Sequence, residues 1–257
     1  MIKMFNFIAF FTIIRREFFR IIRIWPQTVL PPIITIFLYF IIFGKILGLK
    51  VGYMSGYKYI QYIIPGLLMM SIISSAYANV SSSFFSSKFQ KYIEELLISP
   101  ISFFVLINGF IFGGVIRAFF IFNGVCFFVF FLNEFYFYNF YFLIFVFFLT
   151  SLLFSLFGLF NAILAKKFDD ISLVPTFVLT PLIYFSGIFF SLDLLPKVLK
   201  IIVYLNPMFY LVNIFRYSFL GISEVNIFYS VFLIFLVIFF MYIFCLYFLY
   251  SGFVIKR

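Results

Sequence analysis

The chain has 257 residues, 66% of them apolar and 10% charged, against roughly 45 to 50% and about 25% in a soluble globular domain, and that composition excludes a water-soluble fold. The net charge of +10 points to an anionic membrane surface and not to nucleic acid, because too few polar residues remain to clothe a nucleic-acid-binding patch. With no histidine and two cysteines, Cys126 and Cys245, each inside an apolar run, no disulfide framework, CxxC motif or zinc cluster can be assembled.

Residues 1–25 predict an interfacial amphipathic helix. At 100° per residue Phe11, Ile14, Phe18, Ile21 and Trp25 share an arc of about 80°, while Arg15, Arg16, Arg20 and Arg23 cluster on the other side. The apolar arc, anchored by Trp25, is expected in the inner leaflet with the arginines among anionic headgroups, each worth about 1 kcal/mol. A signal peptide is not expected here, because the apolar stretch runs into Arg15-Arg16 with no small-residue cleavage site after it.

A helix needs about 20 mostly apolar residues to cross the hydrocarbon core. Gaps between ionisable side chains satisfy that five times, and a sixth stretch is interrupted by Arg117. The expected fold is therefore an all-α polytopic membrane protein, one transmembrane domain over 1–257, with spans at about 28–48, 60–82, 104–131, 139–164, 171–192 and 226–250. The apolar residues 201–215 are too few and too broken, at Asn206-Pro207, to cross, and 193–221 reads as an outer re-entrant segment.

Between spans two and three, Phe89, Tyr92, Ile93, Leu96 and Leu97 recur at helical spacing, with Ser86 or Ser87 to cap and Pro100 to stop. This predicts a short amphipathic helix over 87–99, with Lys91 and Glu95 as an i, i+4 pair. Pro175 and Pro181 predict a bend or a shortening in span five. Gly109 and Gly113 in span three, and Ser151, Ser155, Gly158, Ala162 and Ala165 in span four, predict close helix contacts, within or between subunits.

With the N-terminus inside, the inner segments hold Lys3, Arg15, Arg16, Arg20, Arg23, Lys88, Lys91, Lys166, Lys167, Lys256 and Arg257. The outer loops hold fewer cations: Lys45, Lys50, Lys58, Lys197, Lys200 and Arg216. Both termini are expected in the cytoplasm.

Catalytic chemistry is not drawn from this sequence. A membrane-embedded hydrolase needs a nucleophile with a base, or paired carboxylates; there is no histidine, and the acidic residues are expected at span ends or in loops. No GxxxxGK[ST] loop occurs, so the chain is not expected to bind ATP by itself. Arg117, the one cation placed well inside a span, has two readings: a contact to substrate in a polar pathway, or a structural pairing or snorkelling, which is favoured.

The stretches KFQKYIEELLISP (88–100), FDDISLVPTFVLTPLIYFSGIFFSLDLLP (168–196) and LNPMFYLVNIFRYSFLG (205–221), with WPQTVLPPIITIFLYFIIFG and YIIPGLLMMSIISSAYANV further upstream, resemble the ABC-2 type permeases, and within them the bacterial inner-membrane YadH-like group. The resemblance covers essentially the whole chain. It implies a homodimer in the inner membrane, docked on a separate cytoplasmic ABC ATPase that carries the missing phosphate loop, so that ATP is a cofactor of the partner and none is bound by this chain. It assigns the helix between spans two and three as the coupling helix, with Lys91, Glu94, Glu95, Leu96 and Leu97 at the ATPase interface, and the N-terminal helix as a second docking candidate. It implies outward movement of an amphiphilic substrate that the sequence does not identify. The alternative is an ion-coupled carrier or channel, which would ordinarily place carboxylates within spans.

Overall fold

The computed structural model describes residues 2–130 and 137–253. Lys256 and Arg257, two of the cations used to orient the chain, and Phe131, the predicted end of span three, lie outside the described residues.

Helix α1 (Ile2–Arg23) is followed by α2 (Trp25–Tyr39), which runs through a π-helical segment, Phe40–Leu47, into α3 (Gly48–Val51). Together residues 25–51 make the first span, three residues longer at each end than predicted, with Pro31 and Pro32 accommodated inside it. A small hairpin that sequence reading did not anticipate, β1 (Tyr53–Met54) and β2 (Tyr57–Lys58), joins it to span two. Its two turn residues, Ser55 at φ 50° and Gly56 at φ 86°, take the positive φ values that a tight hairpin turn requires.

Span two is α4 (Tyr59–Phe89), 31 residues long, and it sits at the centre of the bundle with 83% of its most apolar window buried. After a left-handed Lys91 at φ 58° comes α5 (Tyr92–Ile98). The predicted start of this helix at residue 87 is corrected: residues 87–89 continue α4. Lys88 explains why, since its Nζ donates to the carbonyls of Ile163 and Ala165, 2.8 Å each, at the end of the fourth span. A cation on the unsatisfied carbonyls of a helix C-terminus holds both helices together there.

Span three is α6 (Phe103–Phe130) and span four is α7 (Phe140–Leu164), capped by the Asn139 side chain, which accepts from the Phe142 N–H. The two pack against α4 and each other through the small residues. A Cβ on Gly158 would lie 2.5 Å from the Tyr77 carbonyl oxygen, and one on Gly109 would lie 2.7 Å from Ile13. The glycine pair of span three therefore seats α1, and the stripe of span four seats α4; the close contacts foreseen from the sequence form within one chain.

Span five is shorter than its predicted 171–192. It runs as α8 (Phe168–Val174), a π turn at Pro175–Leu179 and α9 (Thr180–Tyr184), and the chain then leaves helical geometry, with Gly187 at φ 77°. The two prolines each remove a backbone donor, which loosens the helix at its middle. A 3-10 turn, Leu192–Leu194, precedes α10 (Lys197–Leu205) and α11 (Pro207–Leu220), which meet at 87°. Asn206 makes that corner: it is extended, as a residue before proline prefers, and its side chain caps α11 by accepting from the Met208 N–H at 2.9 Å. The last span is α12 (Ile227–Tyr250).

Candidate functional site: coupling helix, polar junction and outer cap

Helix α5 hangs from the end of α4. Ile93 is buried, Leu96 and Leu97 are half-buried against the core, and Glu94 is half-exposed. Lys91, Tyr92, Glu95 and Ile98 face out, Ile98 with 84% of its surface free. Lys91 and Glu95 make no ion pair among the described residues. The predicted docking residues are thus on one helix but not on one face: Leu96 and Leu97 fasten it, while Lys91 and Glu95 are presented. Between α1 and α5 lies an apolar groove of about 290 Å³ lined by Phe5, Ile8, Thr12, Tyr92, Leu96 and Pro100. Asn6 fixes its far edge by accepting from the Ser102 N–H at 3.1 Å.

Beside this groove α1 enters the bundle, and here the sequence expectation is corrected. The buried stripe of α1 is Ile13, Glu17 and Ile21, so Ile21 leaves the lipid-facing arc, whereas Phe11 and Trp25 of that arc are about half exposed and stay free to face lipid. Glu17 is completely buried, although every acidic residue was expected at a span end or in a loop. Its carboxylate pairs with Arg20 at 3.0 Å and Arg16 at 3.3 Å and accepts from Ser83 of span two at 2.5 Å. Arg20 donates to the Asn79 side chain at 2.7 Å and its carbonyl at 3.0 Å; Arg16 reaches Ser87 at 3.3 Å and lies over the rings of Tyr92 and Phe110. Two of the four arginines assigned to headgroups are therefore turned into the protein. Rotating α1 this way lets one carboxylate and two hydroxyl-bearing turns of α4 hold both guanidinium groups by their terminal nitrogens, as a buried charge requires, while the Arg20 Nε has no partner among the described residues. Arg15, over Phe19, and Arg23 remain on the surface.

Arg117 of α6 stands one turn beyond Gly113, where a Cβ would lie 2.7 Å from Glu17. It is partly buried, within the electrostatic reach of Arg20, and its Nε has no hydrogen-bond partner among the described residues.

Apart from its two ends, span two is open along one line. Met70, Ala78 and Ser86 are half-exposed, and Ser74 and Ser82 exposed, at intervals of four residues. At one end of this small, hydroxyl-bearing track Ser71 and Ser74 share a groove of about 260 Å³ with Pro31, Thr35 and Tyr39 of span one. Tyr39 in turn meets the hydroxyl of Tyr184, at the end of α9, at 3.2 Å. At the other end a polar cavity of about 330 Å³ lies between α1 and α4, walled by Arg16, Arg20, Arg23, Ser86, Ser87 and Gln90.

The opposite end of the bundle is closed by residues 185–224. Arg216, counted from sequence as an outer-loop cation, is instead 2% exposed, its guanidinium 3.8 Å from the centre of the Tyr62 ring. It donates to the Gly187 carbonyl at 2.6 Å and lies 3.6 Å from Glu224. Glu224 accepts from the Tyr62 hydroxyl at 2.7 Å and from the Leu192 N–H at 3.1 Å. Tyr59 and Tyr62 donate to the carbonyls of Phe189 and Phe190. Non-helical backbone at membrane depth is tolerated only when its polar groups are covered by protein or water, and these side chains supply the cover.

A profile of the ABC-2 type transporter family matches residues 8–220. The chain is 48% identical over 236 residues to "Inner membrane transport permease YadH" of Escherichia coli K12, covering 91% of this chain and 92% of that protein, and to the proteins of the same name in Escherichia coli O157:H7 and Shigella flexneri to the same extent. This chain belongs to the ABC-2 type transporter family. It is a multi-pass inner-membrane permease subunit. Within an ABC-2 permease the elements described above take the expected order, from an N-terminal helix, through a short helix between spans two and three, to a bent helical pair before the last span.

Sequence reading missed Glu17, Asn79 and Ser83 at the junction, and Tyr62 and Glu224 at the cap. A signal existed for the first: Glu17 falls at i+4 from Ile13 and i−4 from Ile21, on the apolar side of a helix otherwise rich in arginine. None existed for Glu224, whose partners are up to 162 positions away.

Proposed function

We propose that this permease moves an amphiphilic substrate outward across the inner membrane, driven by ATP hydrolysed on a separate cytoplasmic ABC subunit, with two copies of the chain forming the membrane unit. Both termini, α1 and α5 then face the cytoplasm, as the cation distribution requires. The observation that carries the reading is α5: a short helix held to the bundle by Ile93, Leu96 and Leu97 and presenting Glu95 and Ile98 outward. An exposed aliphatic side chain next to charges, flanked by an apolar groove, has the form of a helix that inserts into a partner's cleft. Because Arg16 contacts α5 through Tyr92, α6 through Phe110 and span two through Ser87, displacement of α5 is transmitted directly to the centre of the bundle. The serine track of span two, with the groove against span one, is the pathway wall in this reading, and Arg117 contributes its charge near the inner end.

The test is co-purification with the candidate ATPase subunit. Glu95→Lys combined with Ile98→Asp changes two outward side chains without touching the core, and the pair is expected to abolish association while leaving membrane insertion intact. Wild-type co-purification of that variant would move docking off α5.

A further inference from the structure

We infer that the polar cavity between α1 and span two is a recognition site for the phosphate group of an amphiphile, the loading end of the path along span two. In naming a substrate class this rests on the transport reading above.

Charge comes first. Arg16, Arg20 and Arg23 face a cavity of about 330 Å³, near the lower limit for small-molecule sites. Among the described residues the one carboxylate paired with them is Glu17, which binds Arg16 and Arg20. Three guanidinium groups against one carboxylate leave an excess of two positive charges, matching the charge of a phosphate monoester near neutral pH, about −1.5 to −2. Arg117 adds to the same field from α6.

Vacant donors come second. Arg20 uses its terminal nitrogens on Glu17, Asn79 and Ser82, but its Nε is buried without a partner. Arg23 makes no hydrogen bond or ion pair among the described residues, although it lines the cavity. The side chains of Ser86 and Gln90, on the facing wall contributed by span two, likewise have no side-chain hydrogen bond among the described residues. A planar guanidinium with neighbouring hydroxyl and amide donors is the donor set that tetrahedral oxyanions select.

The remaining wall identifies the rest of the ligand. Phe19 lines the same cavity with about half of its surface uncovered, an exposure that a solvated inorganic phosphate does not use and an acyl chain does. From this cavity Ser82, within 3.4 Å of Arg20, continues to Ala78 and Ser74 along span two.

The experiment titrates the purified permease in detergent, without any ATPase, with phosphatidate, with diacylglycerol of the same acyl chains, and with inorganic phosphate. Binding is read as the bound fraction of radiolabelled ligand at equilibrium. A saturable response to phosphatidate is expected, with none to diacylglycerol and at least about tenfold weaker binding of inorganic phosphate. Arg23→Gln is expected to raise the phosphatidate dissociation constant about tenfold, the loss of one charge-assisted contact, and Ser86→Ala, from the facing wall, several-fold. The Arg23 side chain makes no hydrogen bond or ion pair among the described residues that its replacement would take from the fold. Equal response to diacylglycerol, or unchanged constants in both variants, would overturn the phosphate assignment. Inorganic phosphate binding as tightly as phosphatidate would overturn the amphiphile part. Failure here leaves ATPase docking on α5 untouched, and failure of that docking leaves this binding result standing.

Discussion

Glu17 is the residue whose replacement tests the architecture of the junction most sharply. Glu17→Gln keeps the shape of the side chain and an acceptor for Ser83 but removes the charge that balances Arg16 and Arg20. Breaking a buried ion pair by removing one partner costs about 3 to 5 kcal/mol. Here the two arginine side chains retain 34% and 27% of their exposure, so solvent screens part of the loss and the expected cost is about 2 to 3 kcal/mol. A double-mutant cycle supplies the control. In Glu17→Gln with Arg20→Gln the uncompensated charge is gone as well, and the double variant is expected to be at least about 1 kcal/mol more stable than the sum of the single changes. Unfolding in mixed micelles of increasing denaturing detergent reads both quantities, and cysteine cross-linking of α1 to span two reports whether the helix stays seated. A cost below about 0.5 kcal/mol with no coupling to Arg20 would refute the claim that this pair fastens α1.

Four further outcomes follow from the same geometry. Gly113→Leu pushes a branched side chain into the space held by Glu17; a loss of about 1 to 3 kcal/mol by overpacking is expected, with loss of the α1 cross-link. Arg216→Gln leaves Glu224 without its cation and the Gly187 carbonyl without its donor, and thiol labelling of a Ser223→Cys reporter is expected to rise severalfold as the cap loosens. Arg117→Leu is expected to alter substrate-stimulated ATP hydrolysis if its charge serves the path, whereas unchanged activity assigns it to structure alone. Asp170, in the first turn of α8, accepts from the N–H groups of Lys166 and Lys167 at 2.8 and 3.0 Å; Asp170→Ala, which leaves both donors at that helix start without their acceptor, is expected to lower the denaturing-detergent midpoint, and an unchanged midpoint would show that the two bonds do not hold the helix start.

Hydrophobic length and charge placement were enough to find most of this fold. Spans one to four and six are long apolar helices, and the bent pair meeting at Asn206 sits where a broken, proline-interrupted stretch ruled out a crossing. Span five resisted because Pro175 and Pro181 shorten the helix while the apolar sequence runs on to Leu192; hydropathy measures the length of an apolar stretch, not where its helix stops. Two arginines of α1 were misplaced for a different reason. A wheel sorts residues by polarity alone, but Glu17, buried in the bundle, needs two cations and Ser83 around it, so Arg16 and Arg20 turn to it and away from the headgroups. At the cap, Tyr62, Arg216 and Glu224 come from separate parts of the chain, and no local pattern links them. Helix α5 was legible in type and place, yet the division between the leucines that fasten it and its outward Glu95 and Ile98 emerged only with the fold.

The central claim is that this permease couples to a separate ATPase through α5. Its most direct test is ATP hydrolysis in proteoliposomes holding the candidate ATPase with this chain, set against the ATPase alone and against the Glu95→Lys, Ile98→Asp variant. Hydrolysis that rises severalfold with the wild-type chain, rises further with one lipid or amphiphile fraction, and falls back to the ATPase-alone rate with the variant is the predicted result. No association and the same rate in all three preparations would contradict the account and return the ion-coupled carrier to the front.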